Sequence, residues 1–114
     1  MDTSPEMRVN CEEVFGPLVT VSRFSSFEKT LEEINRSRYG LQTSVFTQDI
    51  NKVFLAYRTL ETGSVIINDV PTFRADHMPY GGVKDSGMGQ EGIKYAIEEM
   101  TEPRLLVLNL RESL

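Results

Sequence analysis

Short apolar runs alternate with amphipathic stretches between residues 18 and 68, and this alternation limits the possible folds more than any other feature. The runs at residues 18–24, 43–47 and 64–68 are rich in β-branched side chains, which favours strands. Between the runs, apolar side chains recur at helical spacing. The two stripes are Phe27, Leu31 and Ile34, followed by Ile50, Val53, Phe54, Tyr57 and Leu60. Strands that alternate with helices through short links form βαβ units, so the sequence predicts an α/β fold with a parallel sheet.

Polar residues mark where these two helices should begin, and glycines mark where they should end. Ser25 followed by Glu28 predicts a capping box at the start of the first helix. Asp49 is expected to cap the second helix in the same way. Gly40 and Gly63 follow the last turns and are predicted to stop the two helices.

The second half of the chain has a different character. Residues 69–89 show no clear period and are predicted to form a long loop, which in a compact domain is usually functional. Helical spacing returns from Gln90 to Met100, and Pro103 is expected to stop this helix. Residues 104–110 are predicted to form a fourth strand that is apolar on both faces and therefore needs cover on both.

Composition excludes several classes of protein. The chain has 12 basic and 17 acidic residues, and its net charge of −5 argues against a nucleic-acid partner. No apolar run approaches the ~20 residues that span a bilayer, and no signal pattern opens the chain, so a cytoplasmic protein without a membrane partner is expected. A single cysteine, Cys11, excludes an internal disulfide, and a single histidine, His77, leaves too few ligands for a zinc site. We therefore expect no metal.

Five of the eight glycines lie between residues 81 and 92, where Gly87 to Gly92 spells G-x-G-x-x-G. The dinucleotide fingerprint needs a strand directly before this pattern and another strand after it, and neither is predicted here. A P-loop is excluded as well, because Met88 stands where the motif requires lysine. We therefore interpret the run as a tight turn of left-handed residues that leads into a helix.

Five blocks of sequence, taken together, point to a known family. They are Glu12–Pro17, Tyr39–Leu41, Val45–Thr47, Gly63–Asn68 and Pro79–Gly92. In this order and spacing they resemble the C-terminal segment of NAD(P)-dependent aldehyde dehydrogenases, over most of the chain. The resemblance implies a three-layer βαβ parallel sheet with a C-terminal helix and a terminal oligomerisation strand. Residues 1–102 would be the C-terminal portion of the catalytic domain, and residues 103–114 the oligomerisation strand and tail.

The resemblance also implies roles for two residues of the first block. Glu13 matches the family glutamate that hydrogen-bonds the ribose hydroxyls beside the nicotinamide, a task that suits a carboxylate acceptor. Phe15 matches the aromatic that packs beside the nicotinamide ring. Without the resemblance, Glu13 would be interpreted as a solvated acid and Phe15 as a core anchor.

Three residues of the second half are implied near the substrate. Tyr80 matches an aromatic that lines the substrate tunnel, although the family more often has Phe there. Arg74 lies in the loop at the substrate mouth, where an arginine can grip an anionic tail, and the alternative is a solvated surface residue. Glu91 matches a glutamate that takes part in proton relay or in an ion pair, and it would also be favoured simply by a helix N-terminus.

The remaining implied positions concern assembly and the surface. Glu102 matches a position at a subunit contact, and the strand with Leu106 and Leu108 would pair with a sheet of another subunit in a homo-oligomer. His77 is interpreted as a loop hydrogen-bonding residue. Lys84 is interpreted as a surface residue or an ion-pair partner.

The family reaction needs a cysteine thiolate that attacks the aldehyde, with NAD or NADP as hydride acceptor. The resemblance places that nucleophile well upstream of Glu13, so Cys11 is interpreted as a small buried apolar residue. We therefore expect the complete enzyme to oxidise a small aldehyde, and the 114-residue chain alone to be inactive. The alternative is a non-catalytic assembly module that pairs through its last strand.

Overall fold

The structure of the protein is a computed structural model that describes residues 3–110. Its helices and strands are short and follow one another along the chain. They are, in order, α1 (Arg8–Cys11), α2 (Phe27–Asn35), β1 (Tyr39–Gly40), β2 (Gln42–Val45), α3 (Ile50–Thr59), β3 (Ser64–Ile67), β4 (Val83–Lys84) and α4 (Ile93–Met100). The fold is α/β, as the sequence predicts. Among these helices, none is long and apolar enough to cross a membrane.

A βαβ unit lies at the centre of the structure. Strands β2 and β3 are parallel, with Gln42 opposite Ser64 and Val45 opposite Ile67. Helix α3 connects them, and the Asp49 side chain caps it by accepting the Asn51 N–H at 2.9 Å. The predicted strand–helix–strand order, the parallel pairing and the Asp49 cap are therefore confirmed.

A small core holds this unit together. Leu31 of α2, Val45 of β2, and Ala56 and Leu60 at the end of α3 are buried against one another. Ile66 of β3 is also buried. Both helical stripes thus pack on the parallel strands, as their spacing predicts. Partly buried apolar side chains surround the cluster, namely Phe27, Ile34, Leu55, Val65 and Ile67.

The predicted helix ends need correction. Helix α2 is capped by Ser26, not Ser25, because Ser26 has an extended backbone and its Oγ accepts the Lys29 N–H at 3.3 Å. Neither predicted glycine stop is used, since α2 ends at Asn35 and α3 at Thr59. Both glycines serve close approach of backbones instead. A Cβ on Gly40 would lie 2.6 Å from the Glu61 carbonyl oxygen.

A second sheet joins the two halves of the chain. Strand β1 pairs antiparallel with β4, so that Tyr39 lies opposite Lys84 and Gly40 opposite Val83. The predicted loop 69–89 therefore ends in a strand that periodicity could not reveal, because a two-residue strand shows no alternation. Helix α4 begins at Ile93 rather than Gln90, after Gly92 with φ +114°.

Two predicted strands are not formed. Residues 18–24 and 104–110 carry no strand pairing in the part of the chain that the structure describes. Their apolar side chains are bare, with Val21 86% and Leu105 86% exposed. A strand is stable only beside a hydrogen-bonding neighbour, and none lies next to these segments within residues 3–110. The strands present form two separate two-stranded sheets.

Candidate functional site

The loop between β3 and β4 brings three predicted site residues into contact. The Nη2 of Arg74 donates to Glu91 Oε2 at 2.8 Å and forms an ion pair with it. The Cζ of Arg74 lies 4.2 Å from the centroid of the Tyr80 ring, in the range of a cation–π interaction. Arg74 is therefore placed by an acid and an aromatic face, and is not simply a solvated surface arginine.

Backbone hydrogen bonds fix Tyr80 and Glu91 relative to each other. The Tyr80 N–H donates to the Glu91 carbonyl oxygen at 3.1 Å, and the Glu91 N–H donates to the Tyr80 carbonyl oxygen at 2.6 Å. The next anchor is on α4, where Glu99 Oε1 accepts the Gln90 N–H at 3.0 Å. Tyr80 and Glu91 thus form a short antiparallel bridge that is tied to the helix that follows.

The glycine run forms the turn that makes this bridge possible. Gly87, Gly89 and Gly92 have φ of 136°, 79° and 114°, values that L side chains rarely adopt. At Gly89 a Cβ would also lie 2.8 Å from a Glu99 carboxylate oxygen. The interpretation of this run as a turn of left-handed residues that enters a helix is confirmed.

A cavity of about 350 Å³ lies against this cluster. Its wall combines apolar side chains with an arginine, a phenol, an amide and a hydroxyl. The lining residues are Leu41, Gln42, Pro71, Thr72, Arg74 and Tyr80. Gln42 steadies the loop, since its Nε2 donates to the Phe73 carbonyl oxygen at 3.4 Å. Such a mixed wall fits a small polar molecule.

A larger cavity of about 570 Å³ adjoins the first. Its wall includes Cys11 and Glu13 from the N-terminal segment and Ser86 from the glycine turn. Leu41 and Gln42 line both cavities. Glu13 on one side and Arg74 with Tyr80 on the other therefore face two cavities that share one wall.

An ion pair lies beside the larger cavity. The Arg38 Nε donates to Asp85 Oδ2 at 2.7 Å. This hydrogen bond, followed by the negative charge of Asp85, raises the pKa of Arg38 above its ordinary value. Asp85 belongs to the cavity wall, and its neighbour Ser86 accepts the Gly40 N–H at 2.9 Å. The wall is thus tied to β1 at two adjacent residues.

Two interpretations from the N-terminal segment are wrong for the residues described. Phe15 is 92% exposed, so it is not a core anchor. Cys11 is exposed rather than buried, and its thiol donates to the Pro5 carbonyl oxygen at 3.1 Å. The physical reason is the same for both residues: residues 11–25 are all exposed, and no second layer packs on them within residues 3–110.

The other predicted positions lie away from both cavities. Glu102 is exposed, and Leu106 and Leu108 are 77% and 69% exposed. His77 is exposed on its loop. The prediction of Lys84 as an ion-pair partner is confirmed, because its Nζ lies 3.1 Å from Glu61 Oε2.

Sequence reasoning placed Arg74, Tyr80 and Glu91 in the site but did not bring them together. It missed the lining residues Leu41 and Gln42. The pairing of Arg74 with Glu91 spans 17 residues of a segment without a period, so spacing could not indicate it. The available signal was weaker: one basic and one acidic residue flank a glycine-rich turn, which can bring them close.

Comparison with known proteins extends this description. A model of the aldehyde dehydrogenase family matches residues 1–106. A 3-sulfolactaldehyde dehydrogenase of Priestia aryabhattai is 49% identical over 109 residues, which are 96% of this chain and 23% of that protein. A lactaldehyde dehydrogenase of Methanococcus aeolicus is 48% identical over 99 residues, 87% of this chain and 21% of that protein. An NADP-dependent glyceraldehyde-3-phosphate dehydrogenase of Nicotiana plumbaginifolia is 46% identical over 106 residues, 93% and 21% of the two proteins.

Solved structures agree with these relatives. The crystal structure of aldehyde dehydrogenase 21 from Physcomitrella patens, in complex with the reaction product succinate, matches with a TM-score of 0.91 and 44% identity. The match covers 99% of this chain and 24% of that one. An NAD+ complex of an aldehyde dehydrogenase from Bacillus cereus matches with a TM-score of 0.84 and 40% identity, over 89% and 20% of the two chains. The chain thus spans between a fifth and a quarter of the length of these proteins.

Proposed function

The chain belongs to the aldehyde dehydrogenase family, and from this premise we propose that the protein carrying it oxidises an aldehyde to a carboxylic acid with NAD or NADP. The observation that carries the proposal is the family match over residues 1–106. In this proposal residues 1–102 are the C-terminal portion of the catalytic domain. Their βαβ unit is one part of a larger three-layer parallel sheet, which the bare apolar side chains of residues 18–24 would help to complete.

Glu13 and Phe15 would hold the nicotinamide end of the cofactor. Glu13 lines the larger cavity, and a carboxylate can accept hydrogen bonds from two neighbouring ribose hydroxyls. Phe15 offers an uncovered aromatic face, 92% exposed, against which a planar ring can pack. The residues present therefore fit the group, which would supply the hydride acceptor when bound.

Tyr80 and Arg74 would form the substrate side. Both line the smaller cavity, and Arg74 brings a positive charge to it. Aldehydes that carry an anionic group fit this wall, because a guanidinium recognises carboxylate, sulfonate or phosphate oxygens through paired N–H donors. Two of the relatives are named for such substrates, 3-sulfolactaldehyde and glyceraldehyde 3-phosphate. We infer an anionic aldehyde of a few carbon atoms as the substrate.

Cys11 is not proposed as the nucleophile. It is the single cysteine of the 114 residues, lies two positions before Glu13, and is exposed. Residues 1–114 by themselves are therefore proposed to be inactive, with the nucleophile supplied by another part of the enzyme. Formation of NADH by these residues alone, with a short aldehyde and NAD, would contradict this assignment.

Residues 103–114 would act as an oligomerisation strand and tail. Leu106 and Leu108 are bare in a segment that lacks a strand partner within residues 3–110, and Glu102 precedes it. A sheet edge of a second subunit would provide the missing hydrogen bonds. The same exposure favours the second candidate function, a non-catalytic assembly module.

The experiment that separates the two candidates is an assay of the full-length natural protein with short aldehydes and NAD or NADP. Aldehyde-dependent formation of NADH or NADPH supports the enzyme, and its absence in a folded protein supports the assembly module. Glu13→Gln should raise the KM for the cofactor roughly tenfold, since it removes one charge-assisted acceptor. The matched control is Glu32→Gln on the exposed side of α2, which should leave that KM unchanged.

Assembly is tested separately by sedimentation of the same protein. Leu106→Asp and Leu108→Asp should each lower the oligomer mass, because a buried unpaired charge opposes strand pairing. Gln48→Asp, at an exposed site in the link before α3, adds the same charge and should not. An unchanged mass in both leucine variants would refute the oligomerisation strand.

A further inference from the structure

Glu91 governs how Arg74 is presented to the smaller cavity. Its Oε2 takes a single Nη2 donor of Arg74 at 2.8 Å. A guanidinium has five N–H donors, and within residues 3–110 the others make no hydrogen bond, so four are free for a ligand. Arg74 lines the cavity. The ion pair therefore orients the arginine without using up its capacity to bind an anion.

The Tyr80 ring restricts Arg74 from a second direction. The guanidinium carbon lies 4.2 Å from the ring centroid, which limits its rotation. The paired backbone hydrogen bonds between Tyr80 and Glu91 make the ring and the carboxylate one unit. A long, rotamer-rich side chain that is 44% exposed would otherwise sample many positions. Here it is held before a ligand arrives.

The charges around the cavity set what the arginine can bind. Arg74 is the one charged residue among those that line it, the others being Leu41, Gln42, Pro71, Thr72 and Tyr80. Glu91 cancels this positive charge at contact distance. A ligand with one negative charge can share Arg74 with Glu91. A second negative charge would face Glu91 without a further cation in the cavity wall.

We propose that Glu91 is a positioning and specificity residue: it holds Arg74 over Tyr80 so that the cavity accepts the singly charged end of an aldehyde and disfavours a doubly charged one. This inference rests on the proposed function and replaces, for Glu91, the role of a proton relay. A relay would act on every aldehyde equally. A positioning residue acts on the ratio between substrates of different charge.

Three aldehydes test the inference on the full-length natural protein. Lactaldehyde is neutral, 3-sulfolactaldehyde adds one sulfonate charge to the same skeleton, and glyceraldehyde 3-phosphate carries about −1.5 to −2. The readout is the ratio of kcat/KM between members of the set. Arg74→Met should lower the ratio of 3-sulfolactaldehyde to lactaldehyde roughly 10- to 100-fold, as expected for a lost charge-assisted hydrogen-bond pair. Glu91→Ala should lower it as well, by about 3- to 10-fold, because the arginine is no longer held.

The variant that isolates charge from shape is Glu91→Gln. It keeps an oxygen that accepts from Arg74 and removes the negative charge. The ratio of glyceraldehyde 3-phosphate to 3-sulfolactaldehyde should rise roughly 3- to 10-fold. The matched controls are Arg58→Met, on the exposed side of α3, and Glu98→Gln, which breaks the exposed Lys94–Glu98 ion pair of α4. Both should leave every ratio unchanged.

A binding measurement keeps the test independent of turnover. Calorimetric titration with 3-sulfolactate and with lactate compares two ligands that differ by the sulfonate alone. The wild-type protein should bind 3-sulfolactate at least tenfold more tightly, and Arg74→Met should abolish the difference. Equal binding of the two ligands by the wild type would overturn the inference. So would a Glu91→Gln variant that loses kcat equally for all three aldehydes with unchanged ratios. Absence of oxidation of any aldehyde would overturn the proposed function instead, with the titration still deciding the role of Glu91.

Discussion

The Asn68 side chain is hydrogen-bonded twice to the backbone of Thr47. Its Oδ1 accepts the Thr47 N–H at 2.8 Å, and its Nδ2 donates to the Thr47 carbonyl oxygen at 2.9 Å. Asn68 directly follows β3 and has φ 58°, a left-handed conformation that asparagine tolerates better than most residues. The pair closes the carboxyl ends of β2 and β3, where the loop toward Arg74 and Tyr80 departs. It therefore sets the direction of that loop.

Replacing Asn68 separates its two contributions. Asn68→Gly keeps the left-handed backbone and loses both hydrogen bonds, which should destabilise the protein by about 1–3 kcal/mol. Asn68→Ala loses the same bonds and adds about 1 kcal/mol of backbone strain. Chemical denaturation of the full-length protein measures both changes. Equal stability of the two variants would contradict a strained backbone at this position.

Gly63 is required by a close approach of two backbones. A Cβ at this position would overlap the carbonyl oxygen of Gly81, which cannot move aside as a side chain can. Gly63→Ala should therefore lower the free energy of unfolding by about 3 kcal/mol. Gly16→Ala is the control, because nothing lies within 4 Å of its added Cβ. Thermal unfolding should place the two variants several degrees apart, and similar midpoints would refute the steric argument.

Lys84 joins three parts of the chain through one ammonium group. Its Nζ donates to the carbonyl oxygens of Asn35 at 2.7 Å and Ser37 at 3.2 Å, beside its ion pair with Glu61. The side chain is only 23% exposed, so these contacts are partly shielded from water.

Lys84→Met should destabilise the protein by about 1–3 kcal/mol, because it leaves carbonyl groups at the end of α2 without their donor. Lys94→Met removes an exposed ion pair at 3.9 Å and should cost less than about 0.5 kcal/mol. Denaturant titration of both variants checks the difference. A loss for Lys94→Met as large as that for Lys84→Met would argue against a special role of the clamp.

The start of α2 should respond to acid. The Glu28 N–H, and secondly the Ser26 hydroxyl, hydrogen-bond the Glu28 carboxylate and lower the pKa of Glu28 below its ordinary value of 4.5. A carboxyl with a depressed pKa in the folded state stabilises the fold above its ordinary value, and this stabilisation is lost as pH falls through the folded value. The advantage of the wild type over Glu28→Gln should therefore shrink below pH about 4.5.

Unfolding midpoints recorded from neutral to acidic pH measure that advantage. Ser26→Ala should reduce it without abolishing it, because the backbone donor of Glu28 remains. A constant difference between wild type and Glu28→Gln across the whole range would contradict the assignment.

The sequence was informative where local signals and burial agree. The Asp49 cap and the apolar stripe of α3 lie between two strands that pair with each other, so periodicity, capping and packing predict the same βαβ unit. The cap of α2 was misplaced by one residue because Ser25 and Ser26 are both good caps. Only the backbone conformation distinguishes them.

Other features could not be predicted from local pattern. The β1–β4 pairing, the Lys84 clamp and the contact of Arg74 with Glu91 all join residues that are far apart in sequence and lie in segments without a period. Residues 18–24 and 104–110 show the opposite problem: their composition favours strands, but no neighbour within residues 3–110 supplies the hydrogen bonds. Local pattern indicates what a segment can form, and the neighbour decides whether it does.

The two sheets differ in how much chain their contacts enclose, and this difference has a consequence for the order of folding. The Asn68–Thr47 contact beside the parallel sheet closes 21 residues, whereas the Gly40–Ser86 contact beside the antiparallel sheet closes 46. Shorter loops close at lower entropic cost and earlier in folding. During synthesis the βαβ unit can thus assemble while residues 83–86 are still within the ribosome. The loop carrying Arg74 and Tyr80 docks last, onto a sheet that is already in place.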